Sequence, residues 1–411
     1  MKYFKIKNTY ECCRVCKSKK IINFFHIDSL PMPEGHTKEE ETPFVHDIDI
    51  FWCSECEMVQ TQVDLDLDEY YQEYTYTTGS SILVDKYMDL VAKTLISKYN
   101  LPNDSLIVEV GSGDGAQLSK FKKYGMSVVG VEPSRVLADS AKVSDIDTIV
   151  EMFTSDTIEE IRSNYGSASM VIIQYTFDHL TDPSSFVHDV HNLLLDTGLL
   201  VIEVHDFEKI YSRNEACLFT HEHSIYPSIE SISNLLQIHG MKIIDTSIVS
   251  EELRRGNSMA IVAAKNSSSL NSITMANYTK LPKFRNKKTY DDFEKKIVLS
   301  HQALKMHIEK LISKGLKVAG YGAAARGVDT LVIAGINNNH LCAIYDKNTF
   351  FHGKNMPVSG ISVNSPDQLY LDNPDELIVF NYGYIEEIRE YYKNHKVNIV
   401  SMLDLMKVNY E

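Results

Sequence analysis

No run of about 18 consecutive apolar residues, the length a membrane-crossing helix requires, occurs in this chain of 411 residues. Residues 1–7 lead into no apolar segment of the signal-peptide kind. A cytoplasmic protein with no membrane partner is therefore the expectation. Positive charge is in deficit: 41 Lys and Arg stand against 56 Asp and Glu, for a net charge of −15. Nucleic acid demands a basic surface, so it is not an expected partner. An anionic small molecule remains compatible, because a few local cations suffice for one phosphate group. Short-period repeats and long low-complexity tracts are absent as well.

An even, dispersed set of cysteines is also missing. There are seven, and Cys12, Cys13, Cys16, Cys53 and Cys56 all fall within the first 56 residues. That clustering speaks against a disulfide framework and reads as metal binding in a reducing compartment. The remaining composition, 44% hydrophobic and 24% charged, is that of a soluble globular protein. The length exceeds one ordinary core, so several domains are expected.

Three segments follow from the pattern. Residues 1–70 form a small cysteine module that buries too little apolar surface to hold without a staple. Residues 71–285 alternate strands and helices, with strands expected at 106–110, 126–131, 147–150, 168–173 and 198–203. A late hairpin at 241–248 and 259–264 completes them. Such βαβ alternation implies an α/β fold with a parallel, doubly wound sheet. A linker and a helix over 290–314 lead into a second α/β unit, residues 286–411, which opens with Gly320-Tyr-Gly322-Ala-Ala-Ala-Arg326-Gly327.

Five groups of residues carry possible chemistry. The first is the run from Glu109 through Gly111, Ser112, Gly113 and Gly115, between a strand and a helix. Its glycines admit a ligand close to the backbone, and Glu132, about 20 residues on at the end of the next strand, can accept both ribose hydroxyl hydrogens. A dinucleotide site shares this logic, but its fingerprint is Gly-x-Gly-x-x-Gly. A purely structural turn is the alternative. The second group is two Cys-x-x-Cys knuckles, Cys13/Cys16 and Cys53/Cys56, separated by 36 residues. Four thiolates suit a tetrahedral, coordinatively closed zinc site. Cys12 can replace Cys13, but only Cys13 makes the short knuckle; free buried cysteines are the alternative.

The third group, Thr220-His221-Glu222-His223-Ser-Ile-Tyr226, lies beyond the fifth strand, where ligands of open α/β sheets sit. A histidine there can remove a proton near neutral pH; a second zinc site or a surface cluster competes. The fourth, Tyr175-Thr-Phe-Asp178-His179, follows the fourth strand, with His179 as candidate and a surface histidine as its alternative. In the fifth, the tyrosine-rich turn ending at Gly79-Ser80-Ser81, Tyr74 and Tyr76 stand at strand spacing. They either enter one pocket or pack between domains.

The glycine run resembles class I methyltransferases that use S-adenosylmethionine (SAM). In their order along the chain, the motifs resemble one family, the three-domain sugar C-methyltransferases. The resemblance covers nearly the whole sequence: the Cys₄ module, the Tyr-x-Tyr…Ser-Ser segment, the SAM domain, Glu222-His223 and the Gly320–327 run. It implies a Rossmann-like methyltransferase domain between a zinc module and a C-terminal α/β substrate domain. It also implies SAM and a structural Zn²⁺ as cofactors. The expected activity is methylation of a carbon next to the ketone of a nucleotide-linked keto-deoxysugar, in antibiotic or surface-polysaccharide pathways. His223 maps to the base that generates the enolate, with Glu222 orienting it, and His179 and Tyr76 match other pocket positions. Pro133, Phe153 and Gln174 complete the expected donor site, and Tyr74, Tyr226, Tyr321 and Arg326 the substrate contacts. O-methylation of a sugar hydroxyl is the alternative chemistry, and a zinc-containing nucleic-acid-binding protein the alternative class. The chain departs from the family around Thr220, where an aromatic residue is usual. It departs again at Leu253-Arg-Arg-Gly256-Asn-Ser258, which replaces a His-Gly-Gly-Ser type of turn.

Overall fold

The computed structural model describes residues 4–38, 40–74, 82–246, 257–270, 284 and 286–407. Its centre is a seven-stranded sheet. From one edge the order is Met241–Asp245, Met259–Lys265, Leu194–Val204, Ala168–Gln174, Leu106–Val110, Ser127–Val131 and Thr148–Ile149. The last five are mutually parallel. The two late strands pair antiparallel, with Met259–Lys265 wedged between its partner and Leu194–Val204. The expected late hairpin is therefore present, and its second strand lies inside the first.

The central stretches of these strands are mainly apolar because both faces are covered, as parallel sheets require. Successive side chains alternate between two cores. Val108, Val171, Ile173, Leu200 and Ile202 face one side with Phe186, Val190, Ile232 and Leu235 from helices Pro183–Leu193 and Ile229–Ile238. Ile107, Met170, Ile172 and Val201 face the other, with Val91 and Leu95 from helix Ile82–Tyr99 and Phe121 from Ala116–Lys123. The cysteine module joins the first core through Cys13, Cys53, Cys56 and Met58.

That module is an antiparallel sheet of Ile21–Pro31, Val45–Cys53 and Val59–Thr61. Its fourth strand, Ile225–Tyr226, comes from the segment directly after Glu222-His223 and pairs with Gln60 and Val59. A helix at Lys287–Ile312, capped by the Asn286 side chain, leaves the module and enters the C-terminal unit. Its Tyr290 ring stacks on Trp52, with centroids 4.6 Å apart. The C-terminal unit is a five-stranded parallel sheet in the order Val363–Asn364, Ile344–Tyr345, Val318–Tyr321, Glu376–Val379, Asn398–Ser401.

Candidate active site

A cavity of about 410 Å³ opens at the carboxyl ends of the central parallel strands, within the size range of small-molecule sites. The turn after Leu106–Val110 forms its floor. Gly111, Gly113 and Gly115 adopt φ of +69°, +54° and +72°, a region that side chains with a Cβ avoid. At Gly111 a Cβ would lie 2.4 Å from Thr176 Oγ1, whereas at Gly113 it would meet nothing within 4 Å. The exposed side of Gly113 is cavity wall.

Glu132 stands beside it, accepting from the Gly113 amide at 2.9 Å and from the Ser134 amide at 2.8 Å. Burial raises its carboxyl pKa, and the two amides oppose the rise. Glu109 is buried more completely. Burial, then Asp114 and Glu132, hold its pKa well above the usual carboxylate range, and its Oε2 has no partner among the described residues. An orphaned carboxylate oxygen, a bare glycine floor and a second acid at the next strand fit a nucleoside with ribose hydroxyls and an amine. Pro133, Phe153, Gln174 and Tyr74 also line the cavity, and Gln174 donates to Glu203 at 2.7 Å.

The far end of the cavity is built around Asp178, which is 1% exposed. The chain reaches it through Tyr175, whose φ of +52° turns the backbone out of strand Ala168–Gln174 into the short 3₁₀ turn Phe177–His179. His205 follows directly on strand Leu194–Val204 and its Nδ1 donates to Asp178 Oδ2 at 2.6 Å. His223 Nε2 lies 3.8 Å from the same oxygen, and His179 Nε2 lies 3.9 Å from Oδ1. Burial alone would raise the Asp178 pKa, but His223, His205 and His179 together pull it below the ordinary value. Burial pushes His223 down to about 3 and also lowers His179. His223 Nδ1 donates to the Leu218 carbonyl at 2.9 Å, and the Tyr71 hydroxyl bonds His179 Nδ1 at 3.0 Å.

Glu222 is 7% exposed. Burial raises it to about 7; the nearby Tyr70 hydroxyl opposes the rise, while Glu34 and Asp178 add to it. The C-terminal unit closes the cavity with Arg326, Asn381 and Tyr384. Arg326 Nη1 donates to Asn381 Oδ1 at 3.3 Å, its guanidinium sits over the Tyr382 ring, and its Nε is buried without a partner among the described residues.

The structure therefore gathers the predicted donor residues except Gly115, which faces Ala141 and Ile146, together with Tyr74, His179 and Arg326 around one cavity; Glu222 and His223 fall outside its lining, His223 beside Asp178. Tyr226 and Tyr321 lie elsewhere. The Tyr226 hydroxyl bonds the His223 and Thr220 carbonyls and its ring packs on Phe219, so it braces the histidine turn from the core. Tyr321 is packed in the apolar core of the C-terminal sheet against Tyr392. Tyr76, with Ser80, Ser81 and Gly256, lies outside the described residues. Sequence reasoning passed over Asp178 and His205. The signal available for both was position, each falling at the carboxyl end of a parallel strand.

The sulfurs of Cys13, Cys16, Cys53 and Cys56 lie within 4.8 Å of one another; Cys13 to Cys56 is 3.4 Å and Cys16 to Cys53 is 3.6 Å. A tetrahedral site with Zn–S near 2.3 Å places its sulfurs about 3.8 Å apart, so these four thiols fit such an ion. Cys12 stands outside the cluster.

A family described as a methyltransferase domain matches residues 83–246, and one described as the C-methyltransferase C-terminal domain matches residues 254–400. C-methyltransferase NovU of Streptomyces niveus is 26% identical over 386 residues, covering 92% of this chain and 90% of that protein. Among solved structures, the plantazolicin methyltransferase BpumL with SAH is 16% identical (TM-score 0.35) and covers 45% of this chain and 89% of that one. The magnesium protoporphyrin IX methyltransferase of Synechocystis PCC 6803 with SAM is 15% identical (TM-score 0.34), covering 47% and 87%. The chain is a SAM-dependent methyltransferase whose C-terminal part matches the C-terminal domain of C-methyltransferases.

Proposed function

We propose that the enzyme methylates a carbon next to the ketone of a nucleotide-linked keto-deoxysugar, through an enolate. The observation that carries this reading is the composition of one cavity. It has a floor of glycines and acids at one end, imidazoles around a buried carboxylate at the other, and an arginine with an unpartnered Nε at the rim. SAM, when bound, supplies an electrophilic methyl group and leaves as S-adenosylhomocysteine.

The chain's own residues divide the remaining work. Glu132, Glu109 and the Gly111–115 turn bind the donor, with Pro133, Phe153 and Gln174 on the same wall. A carbon next to a ketone is weakly acidic, and neutral imidazole is matched to taking its proton near neutral pH. The cluster of His179, His205 and His223 provides that chemistry beside a fixed negative charge. Arg326, whose charge is retained despite burial because Tyr382 and Glu215 favour it, suits the diphosphate of an activated sugar. The four cysteines hold one structural Zn²⁺, closed to substrate. They fasten the strand that continues from Glu222-His223.

The test is incubation of the enzyme with SAM and a panel of nucleotide-linked 4-keto sugars, read by mass and NMR. The expected product carries a new methyl on carbon adjacent to the ketone. A methyl ether would move the chemistry to a hydroxyl, and a panel left wholly unmethylated would remove the keto-sugar reading.

A further inference from the structure

We propose that Asp178 is the counter-charge of the base, the positioning residue that lets a buried His223 accept the α proton and become an imidazolium. This deepens the enolate reading above and rests on it, with His223 as the base that the family resemblance implies.

A base held away from water is handicapped by the charge it acquires. His223 is 8% exposed. Burial is the main force pushing its pKa down; Asp178 is the first of the effects that oppose the fall, while His179 and His205 add to it. Nδ1 of His223 donates to the Leu218 carbonyl at 2.9 Å, so the lone pair belongs to Nε2. Nε2 lies 3.8 Å from Asp178 Oδ2. That separation is too long for a hydrogen bond, which leaves the lone pair uncommitted. It is short enough for an ion pair once the nitrogen is protonated.

Asp178 is held in place as a charge. It is 1% exposed, and no lysine or arginine pairs with it among the described residues; its ionic neighbours are His179, His205 and His223. His205 Nδ1 anchors Oδ2 at 2.6 Å, while Oδ1 has no hydrogen-bond partner among the described residues. The backbone fixes the carboxylate against the base, because the amide of Ser224, the residue after His223, donates to the Asp178 carbonyl at 2.8 Å. A buried carboxylate without a permanent cation is costly to keep. The cost is offset if a positive charge appears beside it during the reaction, and the imidazolium of His223 is such a charge. The rings of His179 and His205 stand 5.0 and 5.2 Å from that of His223, centroid to centroid, and both line the cavity.

The step balances as follows. The C–H bond of the α carbon breaks, its electron pair enters the enolate, and the proton goes to His223 Nε2. Asp178 stays ionised and faces the imidazolium. The new carbon–carbon bond forms as the methyl–sulfur bond breaks, with the pair going to sulfur. His223 then returns its proton to water as product leaves.

Two measurements on the full-length, zinc-loaded enzyme test this. The first needs no substrate. Carboxyl ¹³C and long-range ¹H–¹⁵N spectra of aspartate- and histidine-labelled protein, assigned with Asp178→Asn and His223→Gln, are expected to show Asp178 ionised at neutral pH and His223 protonated on Nδ1 alone. A protonated Asp178 overturns the proposal, and so does a doubly protonated His205, since the charge is then absent or already matched. Zn²⁺ or Mn²⁺ bound beyond the cysteine site and lost in Asp178→Asn overturns it too, because ligand atoms of Asp178, His205 and His223 lie within 4.8 Å of one another and a metal there would occupy them. The second measurement replaces SAM by S-adenosylhomocysteine and follows exchange of the α proton into D₂O, using a panel sugar the wild type methylates. Asp178→Asn, which keeps the shape and removes the charge, and Asp178→Ala are each expected to slow exchange by about 10²–10³-fold, the order a unit charge at this separation produces. The affinity for S-adenosylhomocysteine is expected to stay unchanged. Added formate should accelerate Asp178→Ala, where it can take the place of the carboxylate, and leave Asp178→Asn slow; a purely structural role gives no such rescue. Asp178→Asn exchanging within threefold of wild type refutes the counter-charge, as does an Asp178→Ala that formate leaves unchanged. His223→Gln exchanging as fast as wild type removes the base and the proposal with it. If the wild type methylates no panel sugar, the keto-sugar reading fails while the spectra still decide whether Asp178 is an unmatched charge beside His223.

Discussion

Arg14 offers a test of how the cysteine module supports the site. It sits between Cys13 and Cys16, 1% exposed, with its guanidinium 2.6 Å from Asp64, itself 5% exposed. The same side chain donates to the Thr61 carbonyl at 2.9 Å and to the Thr181 carbonyl at 3.1 Å, two residues past His179. Removing one partner from a buried ion pair leaves a charge without compensation and costs about 3–5 kcal/mol. Arg14→Ala and Asp64→Ala should each fall in that range. Arg14→Met with Asp64→Leu should recover most of it, because apolar replacement of both partners is close to neutral. The chain contains a single tryptophan, Trp52, buried in this module against Tyr290, so its fluorescence reports the module during urea unfolding. With a slope of about 2 kcal/mol/M, the single variants should lower the midpoint of the Trp52 transition by roughly 1.5–2.5 M. Single variants within about 0.3 M of wild type would refute the reasoning. So would a double variant no better than either single one, which would mean that the pair is not what ties the turn down.

Four further outcomes are expected. Cys53→Ser should lower bound zinc below one equivalent per chain by atomic emission and shift Trp52 emission to the red; full zinc retention contradicts a Cys₄ site. Gly111→Ala places a Cβ 2.4 Å from Thr176 Oγ1 at a φ of +69°, so calorimetry should find binding of S-adenosylhomocysteine at least about tenfold weaker, the strain alone amounting to about 1–2 kcal/mol. Glu132→Gln should weaken the same binding by about tenfold or more, because a charge-assisted hydrogen bond contributes about 1.5–3 kcal/mol; unchanged affinity would displace the ribose from Glu132. Glu222 is raised on folding from 4.5 to about 7, so it holds its proton in the folded state after the unfolded chain has released it. Its stabilisation is complete below about pH 4.5 and is lost as pH rises through about 7, up to about 3 kcal/mol. Melting curves from about pH 5 to 8 should show a decline in the wild type that Glu222→Gln lacks, and parallel curves refute it.

Much of the donor half was legible because its signals are local. A parallel strand covered on both faces is mainly apolar, and a turn that brings its backbone close to a ligand favours glycine, so 106–115 announces itself. The knuckles are local too, two residues between thiols. The acceptor half depends on where side chains point, and spacing does not report that. Tyr321 alternates with Gly320, so it falls on the face packed with Ala319, Leu377 and Tyr392, while Val318 and Ile344 belong to the core on the opposite one. Tyr226 is turned inward by pairing with Val59, a partner so distant in sequence that no periodicity foretells it. Asp178 stood beside a more conspicuous histidine. Only the left-handed turn at Tyr175 decides that the carboxylate, not the ring beside it, becomes the centre of the cluster.

The arrangement gives the cysteine module a part in positioning an active site that lies elsewhere. Asp178, His205 and His223 come from the ends of two neighbouring strands and from the turn that follows, and the turn has no sheet of its own. It acquires one by pairing Ile225 with Gln60 and by a hydrogen bond from the Thr61 amide to the Ser224 carbonyl at 3.0 Å. The Ser224 amide in turn bonds the Asp178 carbonyl at 2.8 Å. One backbone path thus runs from the cysteine turns through strand Val59–Thr61 to the carboxylate that organises the imidazoles. A small domain without a staple has too little core to hold such a path at fixed length. A single ion gripped by Cys13, Cys16, Cys53 and Cys56 would make the position of Asp178 a property of the fold, and a hydrogen bond of 2.6 Å to His205 tolerates little less.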